Sequence, residues 1–305
     1  MRIGILAADT TGDQALGKLT DQLRRVADDG FASFWMSNIF GLDALTALAV
    51  AGAQVPGIEL GTAVVPTYPR HPAVLAQQAL TVALAVGPDR LSLGIGLSHQ
   101  IVIEHMYGHS FDKPARHMRE YLSILLPLLD GTQANVKGET LSANIGLSTP
   151  RVGRMPVLLA ALAPRMLNLA GQQTDGTVLW MTGPATVRDY VVPAISAAAS
   201  AAGRPSPRVV CALPVCVTSD PAAARAGAAE QFAVYGQLPS YRAMLDREGA
   251  AGPGDVAIVG DEDAVAAQIL ALADSGVTDF VAAEFARGED GKRTRSLLKA
   301  VIAGS

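Results

Sequence analysis

The chain is poor in aromatic side chains, in charge and in cysteine. Of its 305 residues only 5% are aromatic and 17% charged, while 50% are hydrophobic. So little charge beside so much apolar bulk argues against disorder. It implies a large core of small and branched side chains. Lys and Arg number 24 against 28 Asp and Glu, a formal charge of −4 scattered along the chain. Without a basic patch there is nothing to draw nucleic acid or an anionic membrane, so a small molecule is the expected partner. Only two cysteines occur, Cys211 and Cys216, at odd spacing in the apolar run Val209 to Val217. Neighbouring strand positions alternate faces, so the pair projects to opposite sides, which argues against a disulfide and fits a reducing cytoplasm. No apolar stretch reaches ~18 residues uninterrupted. The opening Arg2-Ile3-Gly4-Ile5-Leu6-Ala7-Ala8 lacks a signal cleavage pattern and reads as a first strand. A soluble, cytoplasmic protein is expected.

What the sequence does have is rhythm. Short apolar runs at 2–8, 31–36, 58–65, 91–97, 156–161, 176–181, 208–217 and 279–285 read as strands. Amphipathic stretches at 13–29, 42–53, 72–86, 114–130, 164–172, 184–202, 220–235 and 261–275 lie between them, with a closing helix at 290–302. That is the pattern of a parallel sheet with helical crossovers. Pro72, Pro164 and Pro221 stand where a first-turn proline costs no hydrogen bond, and Asp43, Asp220 and Asp261 are suitable caps. Each strand run is apolar on both faces, as when helices cover one side and a barrel interior the other. Eight units favour closure over an open doubly wound sheet: a single α/β domain over 1–305, a (β/α)8 TIM barrel. Two Gly- and Pro-rich segments interrupt it, 131–155 after the fourth helix and 236–260 before the eighth strand. The second is expected to form a helix from Ser240 to Arg247 and then a mobile loop, serving as a lid or as decoration.

In such a barrel the site is built where the strands end. The polar strand ends are Asp9-Thr10-Thr11, Ser37-Asn38, Thr67-Tyr68, Ser98-His99-Gln100 and Met181-Thr182-Gly183. His99 is the first choice for an acid or base, because imidazole titrates near neutrality. His105 and His109 beside Glu104 superficially suggest a metal pair. Gly108 weakens that helix and no third ligand is evident, so no metal is expected. The charged run Asp112 to Glu120 reads as a solvated first turn with an Arg116–Glu120 pair, or with Arg116 reaching an anionic ligand group. Gly94-Ile95-Gly96 lacks the third glycine of a dinucleotide fingerprint; it suits the close approach of a cofactor ring or of facing backbone. Two strand-to-helix junctions, Ala161-Leu162-Ala163 before Pro164 and Met181-Thr182-Gly183 before Pro184, offer N–H groups where phosphate is favoured.

The segment Gly61-Thr62-Ala63-Val64-Val65-Pro66-Thr67-Tyr68-Pro69-Arg70-His71-Pro72, running on through Gln77-Gln78 to Gly87-Pro88-Asp89-Arg90 and Gly94-Ile95-Gly96, resembles the bacterial luciferase-like flavoprotein superfamily. Within it the chain is similar to the coenzyme F420-dependent oxidoreductases of actinobacteria, in element order over nearly its whole length. The resemblance implies a barrel that binds a flavin or its 5-deaza analogue and exchanges hydride with an organic substrate. It also implies a bulge in strand three with a non-proline cis peptide, here Ala63-Val64, against which the ring rests. Similar enzymes often carry a carboxylate where this chain has His99, and some an Asp-His pair where it has Ser37-Asn38. Both departures make the sugar-phosphate dehydrogenases of the group a poor match. The implied assignment makes His99 catalytic. Ser37, Asn38, Ala63, Val64 and Ser98 would meet the ring, and Ala161, Leu162, Ala163, Met181, Thr182 and Gly183 the phosphate end. Coenzyme F420 is the expected cofactor, with FMN the alternative. The matching functions are an F420-dependent oxidoreductase, an FMN-dependent monooxygenase, or a non-catalytic flavin-binding barrel. A methylene-tetrahydropterin-like carbon, an imine, an enone or an alcohol would each suit a hydride carrier. Barrels of this superfamily often pair, so a homodimer is expected.

Overall fold

Residues 1–8 and 11–304 are described by a computed structural model. Their strands are β1 (Arg2–Leu6), β2 (Ser33–Met36), β3 (Glu59–Thr62), β4 (Val65–Pro66), β5 (Leu91–Gly96), β6 (Ala134–Lys137), β7 (Ser142–Ile145), β8 (Val157–Leu159), β9 (Gly176–Trp180), β10 (Arg208–Val217), β11 (Ile258–Gly260) and β12 (Asp279–Glu284). Parallel pairings run from β12 through β1, β2, β3, β5 and β8 to β9, and β10 pairs with both β9 and β12, which closes the ring. β4 continues the β3 stave past a bulge and pairs with β5. The result is the eight-stave (β/α)8 barrel expected from the rhythm, with every expected strand on it.

The interruptions are more ordered than their composition suggests. Residues 131–155 carry the antiparallel hairpin β6–β7. The 236–260 segment holds the expected helix, over Pro239–Glu248. In place of a structureless loop, it ends in β11, which pairs with the far end of β10 from Val215 to Val217. The Arg116–Glu120 pair does not form as expected. Arg116 instead pairs with Glu139 on the hairpin. The Glu120 carboxylate accepts N–H bonds from Glu139, Thr140 and Leu141 at 3.0, 2.7 and 2.9 Å, satisfying the hairpin turn.

Helix starts follow the local signals. Asp43, Asp220 and Asp261 accept from Thr46, Ala223 and Ala264 N–H at 2.9, 3.0 and 2.9 Å, each cap contributing ~1 kcal/mol. Pro72, Pro164 and Pro221 occupy first turns. Strand alternation then sorts the core. Inward residues Trp35, Leu158, Val178, Val210, Ala212 and Val281 fill the barrel, whereas outward ones such as Ile5, Phe34, Leu93 and Cys211 join the helices. Cys216 lies in a separate cluster under β11, and both thiols are free and buried.

The N-terminal end of the barrel is closed by charge. Arg208 donates to both oxygens of Asp279 at 2.9 and 2.7 Å, to Glu59 at 2.7 Å and to Ser92 at 3.2 Å. Arg2 reaches the same two carboxylates from β1. The Arg208 guanidinium also lies 5.6 Å from the Trp35 ring centre. Burial raises the pKa of Glu59, but its bonds to Arg208 more than offset this and hold it below the ordinary 4.5. Such a group stabilises the fold above pH 4.5 and loses that effect as pH falls through its folded pKa.

Removing the guanidinium would leave two buried carboxylates to share the half-exposed Arg2. Arg208→Met is expected to cost about 3–5 kcal/mol at pH 7, read from urea unfolding, with the gap to wild type narrowing below pH 4.5. A gap under ~1 kcal/mol, the scale of a surface pair, would show that this floor contributes little.

Candidate active site

The opposite end of the barrel is open, and the bulge between β3 and β4 shapes it. The Ala63-Val64 peptide is cis, where the family resemblance put it. Both residues are half-buried and pack on the barrel interior above Trp35. Glycines on β5 make room for them. A Cβ on Gly94 would collide with the Thr62 carbonyl oxygen, and one on Gly96 would stand 2.7 Å from Val64 Cγ2 and 3.1 Å from Ala160 Cβ. Of the two readings of Gly94-Ile95-Gly96, the close approach is thus by facing backbone. Thr62 Oγ1 locks it, donating to the Gly94 carbonyl at 2.8 Å and accepting the Gly94 N–H at 2.9 Å.

Around this platform stand the other strand ends. Ser37 and Asn38 are half-buried after β2. Asn38 Oδ1 is committed to the Ala44 N–H at 2.9 Å, at the start of the next helix. Ser98 adopts a left-handed φ of 62°, a turn that brings the half-buried His99 beside Tyr241, ring centres 5.4 Å apart. Burial pushes the His99 pKa below 6.5, so its imidazole is neutral at pH 7 and able to take a proton. Thr11 is exposed; Asp9 and Thr10 lie outside the described residues.

The insertion lies across this mouth. Tyr241 packs edge-on against Tyr235 at 5.2 Å. Tyr235 and Phe232 each meet the Trp180 ring edge-on at 5.7 Å. Phe232 continues to Phe285 after β12, at 6.2 Å. Helix Pro239–Glu248 is then fastened at its end. The Glu248 carboxylate accepts the N–H groups of Ala185 and Thr186 at 3.1 and 2.7 Å, and Arg247 stacks 4.0 Å from the Tyr190 ring centre. A side chain at Gly183 would strike Glu248.

The two expected phosphate junctions therefore differ. At the second, Met181, Thr182 and Gly183 are buried, and a carboxylate of the chain itself takes the helix-end donors. At the first, Ala161 is buried, Leu162 half-buried and Ala163 exposed.

One buried group lies where the sequence suggested a solvated turn. His117 is only 5% exposed. Its Nε2 lies 3.1 Å from Thr67 Oγ1, and its ring stacks on Tyr68 at 3.9 Å with 2° between planes. Burial pushes its pKa down to about 4, against a weaker opposing effect of Glu120. Burial likewise pushes Tyr68 up to about 12, with Asp112 and Glu104 adding to it, and its hydroxyl has no hydrogen-bond partner. His105 and His109 are exposed, and no cluster of metal-ligating side chains occurs among the described residues.

A family model, the luciferase-like monooxygenases, matches residues 1–279. The chain belongs to this family. It is 27% identical over 296 residues to the 5,10-methylenetetrahydromethanopterin reductase of Methanolobus tindarius, covering 87% of this chain and 89% of that protein. It is 28% identical to a putative coenzyme F420-dependent oxidoreductase of Mycobacterium tuberculosis, over 68% of this chain and 65% of that one. Among solved structures, an F420-dependent secondary alcohol dehydrogenase superposes with a TM-score of 0.82 at 18% identity, over 99% of this chain and 98% of that one. The oxygenating component of a Pseudomonas putida diketocamphane monooxygenase, in complex with FMN, superposes with 0.78 at 17%, over 100% and 98%. These last two likenesses establish the shared barrel.

Two measurements test the geometry of the site. Gly94→Ala forces backbone to move and is expected to lower stability by about 1–3 kcal/mol in urea; an unchanged midpoint would refute the close fit. The His117 proton resonances should keep their neutral positions down to pH 5 and shift near 4. Because that folded pKa lies below the ordinary 6.5, stability held above pH 6.5 declines as pH falls toward 4. A midpoint near 6.5 would place His117 in solvent.

Proposed function

We propose that this chain is a coenzyme F420-dependent oxidoreductase that moves a hydride between the deazaflavin and a small organic substrate. The observation that carries the reading is the shallow platform of Ala63 and Val64, seated on Gly94 and Gly96, with His99 on its rim. The residues fit a flat, polar-edged ring. Small side chains leave room above the bulge, and Ser37, Asn38 and Ser98 stand half-exposed around it. The phosphate end is assigned first to Ala161-Leu162-Ala163, because Glu248 already takes the donors of the other junction. When bound, the deazaflavin would supply two-electron hydride chemistry without stabilising a peroxide. A neutral His99 suits it to take the proton from a substrate hydroxyl, and to return it in the reverse direction. The name of the Mycobacterium tuberculosis relative favours this cofactor. The shared barrel of an FMN monooxygenase supports FMN as the second reading. Exposed Val50, Val74 and Leu84, on the helices Ala44–Gly52 and Pro72–Val86, support pairing with a second copy. No helix among the described residues is long and apolar enough to cross a membrane.

Separate titrations with oxidised F420 and with FMN decide between the cofactors. F420 is expected to bind with Kd at or below ~50 μM, about −6 kcal/mol, and FMN more weakly. Tighter FMN binding with oxygen uptake would overturn the proposal. His99→Ala is expected to lower kcat by ~10²–10⁴ while cofactor affinity holds. In the alcohol-oxidising direction wild-type kcat should rise with pH through a midpoint below 6.5, then stay level.

A further inference from the structure

Aromatic rings are scarce in this chain, two Trp, six Tyr and seven Phe, yet five of them meet at the open end of the barrel. Trp180 stands on the inward face of β9 two residues beyond Val178, and Phe285 follows β12. Phe232, Tyr235 and Tyr241 come from the segment laid across the mouth, and their ring contacts, edge-on except for the tilted Tyr241–His99 pair, link Phe285 through Trp180 to His99. All five are half-buried. They are neither sealed in a core nor free in solvent.

The charge around them points the same way. Every charged side chain of helix Pro239–Glu248 is engaged elsewhere. Arg242 binds Asp246 and the Ala250 and Ala251 carbonyls, Arg247 covers Tyr190, and Glu248 holds backbone N–H groups. On the same face of the barrel, Ile39, Phe40, Ile101, Met106 and Val234 are exposed. Exposed apolar side chains flank the mouth, its inner wall is aromatic, and the His99 imidazole is set into that wall.

We propose that this wall is the substrate site and that it takes an uncharged compound built on an aromatic ring, held edge-to-face by Tyr235, Tyr241 and Trp180 with one oxygen or nitrogen directed to His99. Ring-on-ring packing of this kind rewards an aromatic ligand over an aliphatic one of equal size. The covering helix offers no free cation, so an anionic ligand set against it would lose hydration without gaining a partner there. The substrate assignment rests on the oxidoreductase reading, but the binding site itself does not.

The two tryptophans make the test direct. Trp35 is fully buried in the barrel, so a ligand in the mouth changes fluorescence through Trp180. Acetophenone, acetylbenzoate and methyl hexyl ketone are titrated into the protein alone and with F420 present. Acetophenone should change the emission saturably, and each of the other two should bind at least ~5-fold more weakly, the scale of one aromatic pair. Tyr235→Leu should weaken acetophenone by ~3- to 10-fold, whereas Tyr235→Phe, which keeps the ring, should bind as wild type does. Equal or tighter binding of the anionic or the aliphatic ketone would overturn the proposal, as would loss of affinity in Tyr235→Phe. Acetophenone binding without F420 binding would reject the oxidoreductase reading and leave the aromatic site standing. F420 binding with turnover of aliphatic ketones alone would do the reverse.

Discussion

A single guanidinium ties opposite walls of this barrel together. Arg208 enters from β10 and binds carboxylates on β3 and β12 and a hydroxyl on β5, with Arg2 of β1 joining from the side. Buried charges of this kind help only when fully bonded, since each must recover what it lost on leaving water. Here both oxygens of Asp279 and both of Glu59 have partners, and the Trp35 ring covers the cation from above. Below Trp35 the barrel is therefore closed and rigid. Chemistry is left to the other end, where strands finish in loops free to vary.

At that end the shape comes from what is missing. Gly94 and Gly96 have no side chains to hold the third stave away, so its backbone bulges inward and two small residues form the platform. The rest of the mouth is assembled from distant parts of the chain. The strand ends supply the fixed groups, and residues 232–248 supply a roof whose far end is fastened by Glu248.

The staves and helix starts were legible because their signals are local. Runs apolar on both faces mark strands between helices and barrel interior, and Asp43, Asp220 and Asp261 cap as their positions suggest. The floor was not legible, because Glu59 and Asp279 open their strands and look like run boundaries. His117 was hidden by charged neighbours, although it shares a helical stripe with Tyr121, Ile124 and Leu128, all buried. β11 is three residues long and ends in glycine, too short to show a period. The aromatic wall joins residues as far apart as His99 and Phe285, which only closure of the barrel brings together. No spacing in the sequence could report it.

Glu248 gives the junction after β9 a property that the junction after β8 lacks. Its carboxylate is an anion on a tether, and tethered groups act at effective concentrations in the millimolar range or above. A free phosphate or sulfate must outcompete that resident charge to reach the Ala185 and Thr186 N–H groups. The chain thereby screens this helix end from the small anions of its surroundings.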